Sequence, residues 1–243
     1  MSLSAILTEA YNFFRNHVRQ LAALTIPMLI LQVIIQQWLG GEMLVQSQAE
    51  TPEFGAIHGA AMMALLLVFS LLIAALTLFM EVRSQGYDVT PARVLKESFT
   101  FVPPLLLAGV FSGLAILMPF VLFAAFGPLW LIGLTMSFYL FARLAFVNFM
   151  VVVERITPLQ AIKASFNFSK PVVLKTIMVL MLYLPISLVG GNLSAIAAQV
   201  GAPLQIIVDT VVAFFSLFVN VALFRLYMIN RNDKPEPSDD TIA

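Results

Sequence analysis

Val94-Leu95-Lys96-Glu97-Ser98-Phe99-Thr100-Phe101 is one of three versions of a single segment. Ile6-Leu7-Thr8-Glu9-Ala10-Tyr11-Asn12-Phe13 precedes it in the chain, and Ala161-Ile162-Lys163-Ala164-Ser165-Phe166-Asn167-Phe168 follows. Each version is amphipathic at helical spacing, and each leads into a long apolar stretch. Leu3, Ile6, Leu7, Ala10 and Phe14 form one stripe. Val94, Leu95, Ser98, Phe99 and Val102 form another, opposite Arg93, Lys96, Glu97 and Thr100. Apolar residues recurring three and four apart share one helix face.

The second and third versions align without a gap from Val89 to Pro104 and from Ile156 to Pro171. Thr90-Pro91 matches Thr157-Pro158, and Lys96 matches Lys163. Thr-Pro starts a helix: the hydroxyl can cap free amides, and proline at the first helical position has no amide to lose. Pro104 and Pro171 mark where the short helix gives way to the apolar stretch.

Of the 243 residues, 60% are hydrophobic and 11% charged, and the mean hydropathy is +0.96. Soluble domains carry about a quarter charged residues. So few charges cannot solvate so much apolar surface, and lipid is the expected solvent. The net charge is zero, so bulk electrostatics favours no nucleic-acid partner. With no cysteine, disulfides, thiolate metal sites and cysteine catalysis are excluded.

Six apolar spans are expected, roughly 18–39, 59–82, 103–126, 129–153, 171–190 and 204–229. A membrane core of about 30 Å takes about 20 helical residues. Phe101 to Val153 is too long for one crossing, and Gly127-Pro128 breaks it. Counts of five or seven stay open, because Gly191, Gly201 and Pro203 interrupt the stretch after Gly190. The first span reads as uncleaved: an amphipathic segment precedes it, and no small-residue cleavage site follows Trp38.

Basic residues set the orientation. Loop 40–58 holds Glu42, Glu50 and Glu53 and no Lys or Arg, and the turns at 127–128 and 191–203 are uncharged. Twelve of the thirteen Lys and Arg flank the opposite ends; Arg143 alone lies inside a span. Both termini are therefore expected in the cytoplasm.

The expected fold class is all-α: a polytopic membrane protein with six transmembrane helices. They form three parallel repeats, at about 2–83, 90–153 and 157–229, each an amphipathic interfacial helix plus a transmembrane hairpin. A unit with two spans returns to its starting side, so successive units relate by an axis along the membrane normal. Three units suggest a ring. Residues 1–231 form one integral membrane domain, and 232–243, with Pro235 and Pro237, a disordered cytoplasmic tail. The short helices suit the headgroup boundary; the alternative is packing on the bundle as connectors. Pro27, Pro119 and Pro185 fall in the first helix of each hairpin, as structural kinks or as breaks that build a midplane site. Gly109 and Gly113 are spaced for close helix approach.

Arg143 sits about 15 Å from its charged boundary at the helical rise. Arg225 has a similar setting: Arg143 precedes Asn148, and Arg225 precedes Asn230, at the same interval, whereas the first repeat has Leu76. The two arginines could bind a phosphate or carboxylate headgroup, together with Lys96 and Lys163 on the short helices; the alternative is snorkelling. Asp209 either serves a polar intramembrane site or interacts with its helix dipole. Glu81, close to Arg83, reads as a surface group, and Gln32, Gln36, Gln37 and Asn220 as interhelical hydrogen-bond partners; Asn148 and Asn220 join Asp209 as candidate intramembrane polar residues. His17 and His58 fall near opposite faces and cannot share a metal. No zinc-protease motif, phosphate loop, nucleophile elbow or evident triad is present, so neither enzyme activity nor a cofactor is expected.

Phe13-Phe14-Arg15-Asn16, the Thr157-Pro158 to Phe168 segment and the closing Leu223-Phe224-Arg225-Leu226-Tyr227-Met228 together resemble the YciC family of Gram-negative inner-membrane proteins. The likeness spans nearly the whole chain. It implies an inner-membrane location and this topology, and it supplies no active-site residues. The arrangement is also distantly similar to the membrane domain attached to some bacterial glycerophosphodiester phosphodiesterases, without their catalytic domain. The expected function is engagement of anionic lipid headgroups in envelope or lipid homeostasis. A small-solute transporter or channel is the first alternative, and a scaffold for another membrane protein the second.

Overall fold

The computed structural model describes residues 2–48 and 55–232, and among them it is all helix with no strand. The helices are α1 (Leu3–Gln48), α2 (Ala56–Ser84), α3 (Pro91–Ser98), α4 (Val102–Ala124), α5 (Trp130–Leu144), α6 (Val147–Val153), α7 (Pro158–Ser169), α8 (Val173–Leu180), α9 (Tyr183–Val200) and α10 (Ala202–Asn232). Taken through their short interruptions, six stretches are long and apolar enough to cross a membrane: Leu3–Gln48, Ala56–Ser84, Pro91–Ala124, Gly127–Val153, Pro158–Val200 and Ala202–Arg231. Much of the exterior of α4, α5 and α9 is apolar, including Leu114, Val121, Leu131 and Leu188. An apolar surface of that extent is matched to lipid.

The proline pattern decides where the amphipathic segments end. A 3₁₀ turn at Phe99–Phe101 separates α3 from α4, and another at Lys170–Val172 separates α7 from α8. Pro104 and Pro171 lie just after or within those turns. In the first version the aligned position is Asn16, which has an amide to donate, and the helix runs on without a break. The separate short helix expected there is instead the first part of α1.

Three further boundaries differ from the sequence expectation. Helix α1 continues through Gly40 and Gly41 to Gln48, so the first part of the expected loop 40–58 is helical. Two glycines weaken a helix by about 1 kcal/mol each without removing a backbone donor. Trp38 stacks on His58 at 5.9 Å, and His58 lies 3.8 Å from Glu42, tying this extension to α2. The fifth stretch runs to Val200 and turns at Gly201, where φ is +150°. Pro185 sits in the first turn of α9, after a break at Met181–Leu182. Proline at 185 cannot donate to the Met181 carbonyl, and the amide of Leu184 takes that carbonyl instead, at 3.1 Å. Pro27 and Pro119 lie inside continuous helices, as expected. Glu50, Glu53 and the tail beyond Asn232 lie outside the described residues.

The three amphipathic segments bury corresponding positions. Ile6 and Ala10, Val94 and Ser98, and Ala161 and Ser165 are all buried. The bundle thus takes the inner line of each stripe, while Phe99 (58% exposed) and Leu159 (60%) face outward. The hairpins pack in cyclic order: α2 on α4, α5 on α8, and α10 on α1. Where α6, α7 and α10 meet, Phe146, Phe149, Phe168, Phe224 and Tyr227 form an aromatic core with ring centroids 5.0 to 6.5 Å apart.

Candidate functional site

The basic residues flanking the first hairpin converge. Arg15, Asn16, His17, Arg19 and Gln20 of α1 and Arg83 of α2 line a pocket of about 630 Å³. Residues four apart share a helix face, which puts Arg15 and Arg19 side by side. Neither makes an ion pair among the described residues. Arg83 is held in place: one guanidinium nitrogen donates to Gln20 Oε1 at 2.8 Å, another pairs with Asp88, and the Phe79 ring lies 5.9 Å away. Its Nε is buried without a hydrogen-bond partner among the described residues. Arg15 lies over the Tyr11 ring at 5.8 Å. Arg83 is spent on Asp88 and Gln20, so the exposed Arg15 and Arg19 are the guanidiniums whose forked donors are open to a phosphate, and no acid lines the pocket.

Arg143, the charge inside a span, is 8% exposed; both terminal guanidinium nitrogens are engaged, while its Nε is buried without a hydrogen-bond partner among the described residues. It donates to the Phe166 carbonyl in the last turn of α7 and to Tyr139 Oη at 3.3 Å, and it lies 5.7 Å and 5.3 Å from the Tyr139 and Phe166 rings. A cation is favourable at a helix C-terminus. Ser165 completes the join by donating to the Arg143 carbonyl at 2.8 Å, next to the break at Ala145–Phe146 between α5 and α6. Arg143 is therefore directed at the C-terminal turn of α7.

Arg225 is elsewhere. Its Nε pairs with Glu9 Oε2 at 2.5 Å, at a second pocket of about 350 Å³ lined also by Asn12, Met80 and Ser84. Arg143 and Arg225 share no partner. Lys96 and Lys163 are exposed on α3 and α7.

Asp209 is the eighth residue of α10, beyond the first turn where the dipole acts. It accepts from Gln37 Nε2 at 2.9 Å across to α1, in a pocket of about 450 Å³ with Gln36, Ser187 and Ser194. Asn148 and Asn220 line one cavity, and Asn220 donates to Tyr183 Oη at 3.1 Å. Gly109 and Gly113 line that cavity too, and a Cβ at either would meet nothing within 4 Å. They open space; close approach occurs instead at Gly133, where a Cβ would come within 2.8 Å of the Pro119 carbonyl oxygen, and at Gly190, where it would come within 2.4 Å of Val212 Cγ1. Among the described residues, no three His, Cys, Asp or Glu are grouped to hold a metal.

In the sequence, Arg15, Arg19 and Arg83 stand out only as markers of topology. The spacing of Arg15 and Arg19 was visible; the return of Arg83 to the same face depends on how α2 packs. No family model matches the chain, and no curated protein or solved structure matches it.

Proposed function

We propose that this chain is a YciC-like bacterial inner-membrane protein that grips anionic lipid headgroups at a cytoplasmic cationic rim, and that it serves lipid or envelope homeostasis. In this reading, three parallel repeats of interfacial helix and hairpin form a ring, with both termini on the cytoplasmic side. The cyclic packing of the hairpins and the shared buried positions of the three amphipathic segments support the ring. The concentration of basic residues at one set of helix ends supports the orientation.

The single observation that carries the function is the pocket of Arg15, Arg19 and Arg83. It lies where apolar helix emerges from lipid, so a headgroup phosphate can reach the guanidiniums while its chains stay in the bilayer. Lys96 and Lys163 extend the rim as exposed point charges. Arg143 serves as a joint between α5 and α7, and Arg225 is held by Glu9. The competing transport reading needs Arg143 and Asp209 on one passage; Asp209 shares its pocket with Gln36 and Gln37, and Arg143 is not part of that lining.

The test is native mass spectrometry of the full chain released from vesicles of mixed phosphatidylglycerol and phosphatidylcholine. Phosphatidylglycerol adducts should dominate. The double substitution Arg15→Gln with Arg19→Gln should cut them at least about fivefold, a change worth about 1 kcal/mol of binding. Equal retention of both lipids, or retention unaffected by the double substitution, would sink the proposal.

A further inference from the structure

The cavity that holds Asn148 and Asn220 is unlike the rim pocket. It has a volume of about 260 Å³ and is lined from all three hairpins, by α2, α4, α5, α6, α8, α9 and α10. No Asp, Glu, Lys or Arg lines it. Its polar groups are Ser112, Asn148, Tyr183 and Asn220; the remaining lining is apolar or glycine. Ser112 Oγ is buried with no hydrogen-bond partner among the described residues, and Asn148 makes no side-chain hydrogen bond there. Tyr183 accepts from Asn220, so its own proton is available to donate.

Two of the helix interruptions border this cavity. Ala145, at the α5–α6 break, lines it, as do Leu180 and Tyr183 on either side of the α8–α9 break. Irregular backbone at membrane depth is tolerated where it is buried in protein or lines a cavity, and broken helices mark binding sites in many membrane proteins. Phe69 and Phe141 in the lining are 45% and 40% exposed, so the cavity opens sideways onto the lipid-facing surface.

We propose that this cavity is a second binding site, for the uncharged, hydrogen-bonding head of a neutral lipid whose apolar chain extends into the bilayer. A cavity of about 150 Å³ lined by apolar side chains holds a benzene. At about 260 Å³ this one suits a compact head and the first part of a chain, not a phospholipid headgroup. A charged head would find no counter-ion here and would bear its desolvation cost unpaired. An oxygen-bearing neutral head meets Ser112, Asn148 and Tyr183 as unsatisfied partners. The site is independent of the cationic rim.

The probe is hexadecanol carrying a diazirine near its hydroxyl, photolysed in phosphatidylcholine vesicles containing the full chain. Cross-links should concentrate on α4 around Ser112 and on α6 around Asn148. Gly113→Leu fills space that a Cβ enters freely, and should cut that labelling at least fivefold. Asn148→Leu, which keeps the bulk and removes the amide, should also cut it, and decides the matter should Gly113→Leu not yield folded protein. Hexadecyl phosphate with the same diazirine should not label these positions. Labelling unchanged in the variants, or equal from the phosphate, overturns the inference. Arg15→Gln with Arg19→Gln should leave alcohol labelling intact, so a failed rim and a failed cavity give different results.

Discussion

At the residue scale, Arg143 shows how a membrane helix can keep a buried charge. Placing an arginine at the centre of a membrane helix costs about 2.5–3.5 kcal/mol on insertion scales. A hydrogen bond from a charged group contributes about 1.5–3 kcal/mol, and each ring near a guanidinium adds about 0.5–1 kcal/mol. The Phe166 carbonyl and the Tyr139 and Phe166 rings therefore offset much of the cost, while the buried, unpartnered Nε adds to it. Arg143→Lys keeps the charge but lacks the planar fork that stacks and bonds together. It should lower the thermal midpoint in detergent more than Arg143→Met, which removes charge and desolvation cost together. An anion-binding Arg143 would give the reverse order in lipid retention, with lysine the better substitute. Gly190 offers a second test. Val212 is β-branched and cannot swing its Cγ1 aside, so Gly190→Ala should cost about 1–3 kcal/mol through overpacking. Val212→Ala should restore most of that loss in the double variant, as read by denaturant midpoints. The sequence marked Arg143 and Asp209 as unusual because charge inside an apolar run is visible in one dimension. Their partners, Phe166 and Gln37, come from other helices and are not.

At the element scale, apolar length and breakers were legible, and continuity was less so. Gly127-Pro128 ended a stretch as read, because proline and glycine act locally. Gly40-Gly41 did not, because glycine only weakens a helix whereas proline removes a bond. Asn16 stands where the other two versions have Pro104 and Pro171, and that one difference in the sequence decides whether the segment ends or runs on. The break between α8 and α9 follows from the same chemistry. Pro185→Ala supplies the missing amide, so hydrogen exchange should slow across 181–185 as α8 and α9 join. Exchange that stays fast there would show that tertiary packing, and not Pro185, holds the break open.

At the scale of the whole molecule, the decisive question is whether the amphipathic segments share one face. Hydropathy counts spans without orienting them, and packing among helices is symmetric to exchange of the two sides of a membrane. Orientation therefore rests on charge alone. The cyclic contacts α2 on α4, α5 on α8 and α10 on α1 join the second helix of each hairpin to the first of the next. An even number of crossings per unit requires that Lys96 and Lys163 emerge on the same side, whichever side that is. The chain contains no cysteine, so single cysteines report cleanly. Lys96→Cys and Lys163→Cys are exposed and should react with a membrane-impermeant maleimide only in inverted vesicles. Ser47→Cys, at the far end of α1, should react only from outside intact spheroplasts. Reaction of all three with their sides exchanged would keep the parallel units and reverse the cationic rim, removing the proposed contact with cytoplasmic anionic lipid. Reaction of Lys96→Cys and Lys163→Cys from opposite sides would make the second unit cross an odd number of times, and no ring of parallel hairpins could survive that result.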